Sequence, residues 1–444
     1  MESTLIKNAT LVNEGQITNA DVLIEGDRIV KIGTDLSAGS ARVIDAEGHY
    51  LLPGIIDDQV HFRDPGLTHK GDIETESRAA VAGGITSYID QPNTVPHAVT
   101  QELLAQKYQN AMGRSYANYS FMMGGTNDNL AEILKTNPRD VAGLKLFLGS
   151  STGDMLVDSS AAIEAIFEAT PLLIAVHCED ETTVKTNLAY YKEQFGEDIP
   201  VHYHPLIRTE EACYLSSSKT VALAKKTGAR LHVFHISTAK ELDLFDNTLP
   251  LEAKKITAEV CIHHLWFSEA DYATRGSLIK WNPAVKTAAD REALWKALND
   301  GRIDVVATDH APHTLEEKSQ VYTKAPSGGP LVQHALTAML EAVHEGKITL
   351  EKVVEKMAHN PAVLFKIEDR GFIREGYYAD LVLVNPKASW TVTKENVLYK
   401  CGWSPMEGTT FHHQVTHTFV NGTLAYENGT VHPNPAGKRL LFNR

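Results

Sequence analysis

The sequence is short of cysteine, of positive charge and of long apolar runs. It holds four cysteines with no C-x-x-C pair, which favours reduced thiols in a cytoplasm over a disulfide framework. The formal net charge of −14 argues against a nucleic acid or an anionic membrane as partner, because phosphates are bound by basic surfaces. No run of about 18 apolar residues is present, and the first residues lead directly into a strand-like segment, so we expect neither a membrane span nor a secretory signal.

A glycine-rich phosphate-binding loop is also missing, since no G-x-G-x-x-G motif occurs. Its absence argues against a doubly wound nucleotide-binding sheet. The middle of the chain instead alternates apolar runs with amphipathic stretches such as 101–112, 161–169 and 212–227. Eight apolar runs predict parallel strands, and together with the stretches between them they predict a (β/α)8 barrel. These runs cover 55–61, 85–91, 117–123, 142–148, 172–177, 230–236, 256–262 and 303–309.

The two ends of the chain read alike. Segments 5–15 and 418–429 are short alternating strands with Asn and Gly turns, and 21–33, 41–52 and 379–384 add further strands. Such strands cannot close a core separately. We therefore predict a small β-sandwich composed of residues 1–52 and 371–444, and a barrel domain of residues 53–370.

The segment 57–66 carries an unusual density of polar side chains directly after an apolar run. In an extended strand Asp57, Gln59, His61 and Arg63 share one face. Buried polar groups at this density need a ligand to satisfy them.

Polar side chains also stand on or just after other predicted strands. In a barrel the C-terminal strand ends meet at one mouth, and imidazoles and carboxylates from different strands are ligands of a catalytic divalent ion. Each residue has an ordinary alternative: a core histidine, a lysine reaching solvent, or an aspartate capping a helix. Their joint placement favours a metal site. These residues are Asn93, Lys145, His177, His235, Asp309 and His313.

Lys145 is the least expected member of this set. A charged lysine in a buried parallel strand is costly unless it is paired or neutralised. Carbamylation by CO2 would convert it into an anion able to bridge two metals, which we state as a hypothesis.

These motifs resemble the cyclic amidohydrolases, and most closely the dihydroorotase branch of that family. The family pattern H-x-H-x-R-D-P-G corresponds to 59–66, M-P-N-T to 91–94, and D-H-A-P-H to 309–313. The resemblance covers nearly the whole chain, including the composite sandwich, and Lys145, His177, His235 and Asn282 follow in the family order.

The resemblance implies a binuclear zinc centre and a small-molecule substrate. One metal would be held by Gln59, His61, Lys145 and Asp309, and the second by Lys145, His177 and His235. Asp309 would also be the general acid and base, and the substrate would be bound by Arg63, Asn93, Asn282 and His313. The implied reaction is the reversible cyclisation of N-carbamoyl-L-aspartate to L-dihydroorotate in pyrimidine synthesis, by a possible homodimer.

Gln59 departs from the pattern, because it replaces the first histidine of H-x-H. A neutral amide oxygen is a weaker zinc donor than imidazole, so we expect the second site to fill more reliably than the first. An allantoinase is the runner-up activity, while hydantoinase substrates lack the carboxylate that Arg63 would bind. A non-catalytic scaffold is the alternative of another class. Segment 314–330 is interpreted as a lid or as a surface connection.

Overall fold

The strands of the chain form an N-terminal, a central and a C-terminal group. The computed structural model describes residues 3–149 and 155–444. The N-terminal group is β1 (Ser3–Asn13), β2 (Gln16–Glu25), β3 (Arg28–Gly33), β4 (Arg42–Asp45) and β5 (Tyr50–Pro53). The central group is β6 (Ile55–Val60), β7 (Ile85–Asp90), β8 (Asn118–Phe121), β9 (Met123–Gly124), β10 (Leu144–Phe147), β11 (Ile174–His177), β12 (Leu231–Val233), β13 (Ile256–Cys261) and β14 (Val305–Ala307). The C-terminal group is β15 (Leu381–Asn385), β16 (Trp390–Thr391), β17 (Thr410–Phe411), β18 (Gln414–Val420), β19 (Thr423–Glu427) and β20 (Thr430–Val431).

Most helices lie between the central strands or follow them. They are α1 (Ile73–Ala82), α2 (Gln101–Ala111), α3 (Leu130–Ile133), α4 (Ser160–Ala169), α5 (Glu181–Phe195), α6 (His204–Ile207), α7 (Glu210–Thr227), α8 (Ile262–Trp266), α9 (Tyr272–Arg275), α10 (Ala288–Asp300), α11 (Leu315–Lys318), α12 (Ala335–His344), α13 (Leu350–Val354) and α14 (Asn360–Phe365). Within 3–149 and 155–444, no helix is both long enough and apolar enough to span a membrane.

The central strands close into a parallel barrel. Strands β6 to β8 pair in order, as do β9 to β14, and a parallel bridge between Val60 and His310 joins the two edges. Only Met122 separates β8 from β9, so these two form one interrupted strand and the barrel has eight strand positions. Seven of these lie inside their predicted ranges and the third overlaps its range, which confirms the barrel.

Local sequence signals set the helix ends. Helix α7 begins after Thr209, whose side chain accepts a hydrogen bond from the backbone N–H of Ala212. It ends at Gly228, whose φ of +75° is the left-handed conformation that glycine adopts easily. Helices α2 and α4 follow Thr100 and Ser159 in the same capping role, within one residue of the predicted starts.

Both chain ends contribute to one nine-stranded sheet. Its order is β20-β19-β18-β15-β5-β1-β2-β3, with β4 paired to β1, so the N-terminal and C-terminal groups meet where β5 pairs with β15. The predicted composite of both termini is thereby confirmed, and its own core includes Ile6, Leu51, Leu381 and Phe419. The domain borders at 52/53 and 370/371 stay a prediction.

The passage from this sheet to the barrel is a single residue, Gly54, between β5 and β6. A Cβ at this position would lie 2.0 Å from Thr86 Oγ1, so only glycine fits there. Because this connection is one residue long, it fixes the position of β6 relative to β5 of the sheet.

Candidate active site

One cavity of about 120 Å³ lies at the C-terminal ends of the barrel strands. All ten residues predicted for the site line it, although their roles remain predictions. They are Gln59, His61, Arg63, Asn93, Lys145, His177, His235, Asn282, Asp309 and His313.

His61 lies between an amide and a carboxylate. Its Nδ1 is 2.7 Å from Asn93 Oδ1, and its Nε2 is 3.2 Å from Asp309 Oδ1. Because an amide oxygen only accepts, the first contact places the hydrogen on Nδ1 and leaves the Nε2 lone pair facing Asp309. Asn93 therefore orients His61, a role that its position in the sequence did not indicate.

The two histidines from β11 and the end of β12 converge. His177 Nδ1 lies 3.1 Å from His235 Nε2, while His177 Nε2 donates to Glu179 Oε2 at 2.8 Å. Burial lowers the pKa of both histidines, which favours neutral imidazoles with available lone pairs. Burial alone would raise the Glu179 pKa, but the Arg208 guanidinium and His177 hold it at about 2.

Lys145 lies in the centre of the barrel and is 1% exposed. Its Nζ is 4.1 Å from the Phe234 ring centroid and 4.8 Å from that of Phe147. Burial lowers its pKa to about 7, against the attraction of Asp309 and Glu259. A larger fraction of neutral amine is therefore present near neutral pH than for an exposed lysine.

The polar end of β6 is irregular, which corrects the shared face predicted for Asp57, Gln59, His61 and Arg63. The last three line the cavity, but Asp57 does not. Its carboxylate accepts hydrogen bonds from the hydroxyl (2.6 Å) and the backbone N–H (3.2 Å) of Thr308 on the neighbouring strand. The pairing of β6 with β7 shifts between Asp57 and Val60, so strict alternation of side chains fails there.

The opposite wall of the cavity is cationic. Arg63 is 6% exposed, and its Nε donates to Pro312 O at 3.1 Å. Lys70 donates to His313 Nδ1, so His313 Nε2 carries the hydrogen and donates to the Ser327 carbonyl at 3.0 Å. The Arg63 Nη2, 3.0 Å from the same Nε2, therefore finds no acceptor in that imidazole. Burial lowers the Arg63 pKa to about 10, so the guanidinium remains charged.

Segment 314–330 covers part of the cavity, which Pro326, Ser327 and Gly328 line. The buried Lys318 fastens it, since its Nζ donates to the carbonyls of Pro326 (2.9 Å) and Gly328 (2.7 Å). Movement of the segment as a lid stays a prediction. The buried lysine was not indicated by the sequence, in which this stretch reads as polar.

Three site residues have strained backbones. Arg63, His235 and Asp309 have φ values of +69°, +42° and +48°. Non-glycine residues adopt this region rarely, and such strain often accompanies functional sites. All three side chains line the same cavity, and they follow the ends of different strands.

The residues of the cavity fit a divalent metal. The His61 Nε2 lone pair faces the Asp309 carboxylate, and two imidazole nitrogens of His177 and His235 face each other. A cation would satisfy the facing acceptors of His61 and Asp309, whereas His235 Nε2–H can donate to His177 Nδ1 and leaves its own lone pair on Nδ1. Within the described residues His235 Nδ1 has no hydrogen-bond partner although it is buried. Imidazole nitrogen and carboxylate oxygen are the donors that zinc takes.

The family of the chain follows from comparison with known proteins. Residues 50–425 match the amidohydrolase family. The chain therefore belongs to the amidohydrolase family, whose members are metal-dependent hydrolases. Within it the sequence is similar to dihydroorotases. Those of Halobacterium salinarum and Carboxydothermus hydrogenoformans are 36% identical over 432 residues and 35% identical over 434 residues. The matches cover 96% and 95% of this chain and 97% and 98% of those proteins.

Similarity of shape extends to another branch. An L-hydantoinase (dihydropyrimidinase) from Arthrobacter aurescens has a TM-score of 0.93 at 28% identity, covering 99% of this chain and all of that one. A dihydropyrimidinase from Brevibacillus agri has a TM-score of 0.89 at 26% identity, with both chains fully covered. The fold is thus common to several branches, and the cavity must distinguish them.

Proposed function

We propose that the protein is a dihydroorotase, which interconverts N-carbamoyl-L-aspartate and L-dihydroorotate in de novo pyrimidine synthesis. One observation carries this proposal. The Arg63 guanidinium is buried in the cavity wall, and none of the described residues places a carboxylate within 4.0 Å of it.

A buried charge without a carboxylate in contact is costly, even with the longer-range attraction of Asp309, Asp90 and Glu317, so this guanidinium favours an anionic ligand. A planar guanidinium offers parallel donors that suit a carboxylate. L-Dihydroorotate carries one carboxylate on its ring, whereas hydantoin and dihydrouracil carry none. His313 and Asn93 complete this wall, and Asn282 has a buried Oδ1 without a hydrogen-bond partner among the described residues, available to a ring N–H.

The cofactor of the proposal is zinc, one or two ions per chain. The first would be held by His61, Asp309 and Lys145, with Gln59 as a doubtful fourth ligand, and the second by Lys145, His177 and His235. Bound zinc would supply Lewis acidity, which can lower the pKa of water from about 15.7 to about 7.

Asp309 is proposed to move the proton. Water attacks the ring amide carbonyl carbon, and the Asp309 carboxylate accepts the proton that the water loses. The carbon–nitrogen bond of the ring then breaks, and Asp309 delivers that proton to the departing nitrogen. The product is N-carbamoyl-L-aspartate, and the same steps in reverse close the ring.

Lys145 is proposed to carry a CO2-derived carbamate. Its pKa of about 7 leaves much of the amine neutral and nucleophilic at neutral pH. The adduct would place oxygen donors where the unmodified strand presents only an amino group. Intact-mass or crystallographic measurement on the metal-loaded protein would show the added CO2, and an unmodified amine there would refute the proposal.

Three other functions are alternatives to this proposal. Shape similarity favours a hydantoinase, and an allantoinase is the alternative by substrate size, but neither hydantoin nor allantoin offers a carboxylate to Arg63. A non-catalytic scaffold would follow from decay of the metal ligands, of which Gln59 is the one departure. The convergence of the other donors in one cavity supports an enzyme.

A substrate panel tests the proposal. The protein, loaded with zinc in the presence of bicarbonate, is given L-dihydroorotate, dihydrouracil, hydantoin and allantoin at matched concentrations. We expect turnover of L-dihydroorotate to exceed the others, and the reverse cyclisation to proceed from N-carbamoyl-L-aspartate. Preferred turnover of a ring without a carboxylate would replace the proposal with a hydantoinase or allantoinase, and no turnover by the folded, zinc-loaded chain would favour the scaffold.

We also propose a cytoplasmic location and a homodimer. All four cysteines are free thiols, which agrees with a reducing compartment. Light scattering on the purified chain would measure its mass against 48.8 kDa for one subunit.

A further inference from the structure

A second polar cluster lies inside the barrel beside the cavity wall. It consists of Asp58 on β6, His232 on β12 and Glu259 on β13, here called the inner triad. All three are 0% exposed. One ligand atom of each lies within 4.8 Å of those of the other two. None of the three lines the cavity described above.

The atoms that face each other in the inner triad lack hydrogen bonds. Both carboxylate oxygens of Asp58, the Nε2 of His232 and the Oε2 of Glu259 are buried without a hydrogen-bond partner among the described residues. His232 Nε2 lies 3.2 Å from Asp58 Oδ2 and 3.7 Å from Glu259 Oε2. These contacts are close in distance but not directed as hydrogen bonds. Four unsatisfied polar atoms at one buried point are an exception that needs a physical cause.

The neighbours of His232 fix its tautomer. Thr257 Oγ1 donates its hydrogen to the Leu231 carbonyl at 3.2 Å, so toward His232 Nδ1, at 2.8 Å, it acts as the acceptor. In the neutral imidazole, the form that binds a metal, the hydrogen therefore lies on Nδ1 and the Nε2 lone pair faces the two carboxylates. A histidine that binds a metal through one nitrogen donates its other N–H in this way.

Only one of the two carboxylate oxygens of Glu259 accepts hydrogen bonds from the described residues. Its Oε1 accepts from the Cys261 thiol at 3.4 Å and from the backbone N–H of His235 at 3.1 Å. Its Oε2 is then directed at His232 and Asp58. When both are ionised, the two carboxylates place two negative charges at one buried point, and a divalent ion would offset both.

We propose that the inner triad is a metal site for a divalent ion of the zinc type, separate from the ions of the catalytic cavity. His232 Nε2, Glu259 Oε2 and the two oxygens of Asp58 supply four nitrogen and oxygen donors, enough for a four-coordinate ion without a water ligand. The site is structural. Through Glu259, whose Oε1 accepts from the backbone N–H of His235, it fixes one point of the cavity floor.

Anomalous diffraction tests this site on the unaltered chain. Crystals of the protein equilibrated with Zn²⁺ alone are measured above and below the zinc absorption edge. We expect a peak between Asp58, His232 and Glu259, about 2.0–2.2 Å from the donor atoms. Filled cavity sites without a peak at the inner triad would overturn the proposal.

Variants assign the ligands. Asp58→Asn keeps the volume of the side chain but removes its charge, and we expect the inner peak to disappear and the zinc content to fall by one ion per chain. Asp57→Asn is the matched control, because Asp57 is the adjacent buried carboxylate and bonds Thr308 instead. A peak that persists in Asp58→Asn, or that is lost equally in Asp57→Asn, would refute the assignment. If Asp58→Asn does not fold, the wild-type crystal still decides.

Discussion

The two walls of the cavity differ in what they can recognise. The donor wall, made of His61, Lys145, His177, His235 and Asp309, offers lone pairs and one carboxylate to a cation. The carboxylate-binding wall, made of Arg63, Asn93 and His313, offers a buried positive charge to an anion. Donor-wall residues lie on barrel strands or one or two residues past them. The residues of the carboxylate-binding wall lie farther along, in the loops that follow the strands.

The difference indicates which wall would take part in the hydrolysis and which would select the substrate. In the proposed mechanism, metal-assisted hydrolysis of a ring amide would use the donor wall, which agrees with the metal dependence of the amidohydrolase family as a whole. A hydantoinase of nearly the same shape is compatible with it. In the proposed function, the choice of a ring bearing a carboxylate would rest on Arg63 and its neighbours, so substitutions on the two walls should have separable effects.

The largest effect is expected on the donor wall, from Asp309→Asn. An amide in place of the carboxylate cannot take a proton from water or return it to the ring nitrogen. General acid–base groups contribute about 10²- to 10⁴-fold, so we expect kcat for L-dihydroorotate to fall by that range. Steady-state kinetics with the zinc content of both proteins measured alongside checks this. A fall explained wholly by lost zinc would assign Asp309 to metal binding alone.

A change on the opposite wall, Arg63→Met, should alter specificity rather than chemistry. Hydrogen bonds to charged groups are worth about 1.5–3 kcal/mol, which corresponds to a loss of about 10- to 150-fold in kcat/KM for L-dihydroorotate. The rate with dihydrouracil, which has no carboxylate, should change little. Arg63→Lys is the control that keeps the charge but loses the planar fork, and we expect it to fall between wild type and Arg63→Met. Equal losses for both substrates would contradict the separation of the walls.

The sequence predicted the barrel and ten of the residues that line the cavity, because the signals of all but Asn282 are local. Apolar runs mark the strands, and a polar residue at the end of a run marks the mouth of a barrel. The composite sheet was also predictable, since both ends carry the same alternating pattern. The resemblance to a known family supplied the roles, which geometry alone would leave open.

What could not be predicted depends on contacts between distant segments or on a break in regularity. The irregular pairing of β6 removes Asp57 from the face that strict alternation assigned to it. The inner triad joins three strands, and no spacing in the sequence relates Asp58 to Glu259. The support of His177 by Glu179 and Arg208 likewise forms only in the folded barrel.

That support gives a smaller predicted effect, on the donor wall. Glu179 accepts the Nε2 hydrogen of His177 and so places the lone pair of the imidazole on Nδ1, which faces the proposed second metal site. Glu179→Gln retains the shape but weakens this orientation, and outer partners of metal ligands typically contribute about 10- to 100-fold to metal affinity or activity. Competition with a chelating dye would measure the zinc affinity. Unchanged affinity, with altered kinetics only, would show that Glu179 acts on the reaction and not on the metal.

The smallest effect is expected from Gln59→His, which restores the imidazole of the family pattern on the donor wall. Imidazole is a better zinc donor than an amide oxygen, so the first metal should bind more tightly. We expect the second ion to bind at a lower free zinc concentration in a titration. The kcat at saturating zinc should change by less than about tenfold, because Asp309 and the carboxylate-binding wall are unchanged. Gln59→Ala is the matched control: if its first site fills as in wild type, the amide oxygen is not a ligand. If Gln59→His binds zinc no more tightly than wild type, a side chain at position 59 does not reach the metal, and Gln59 is not a ligand.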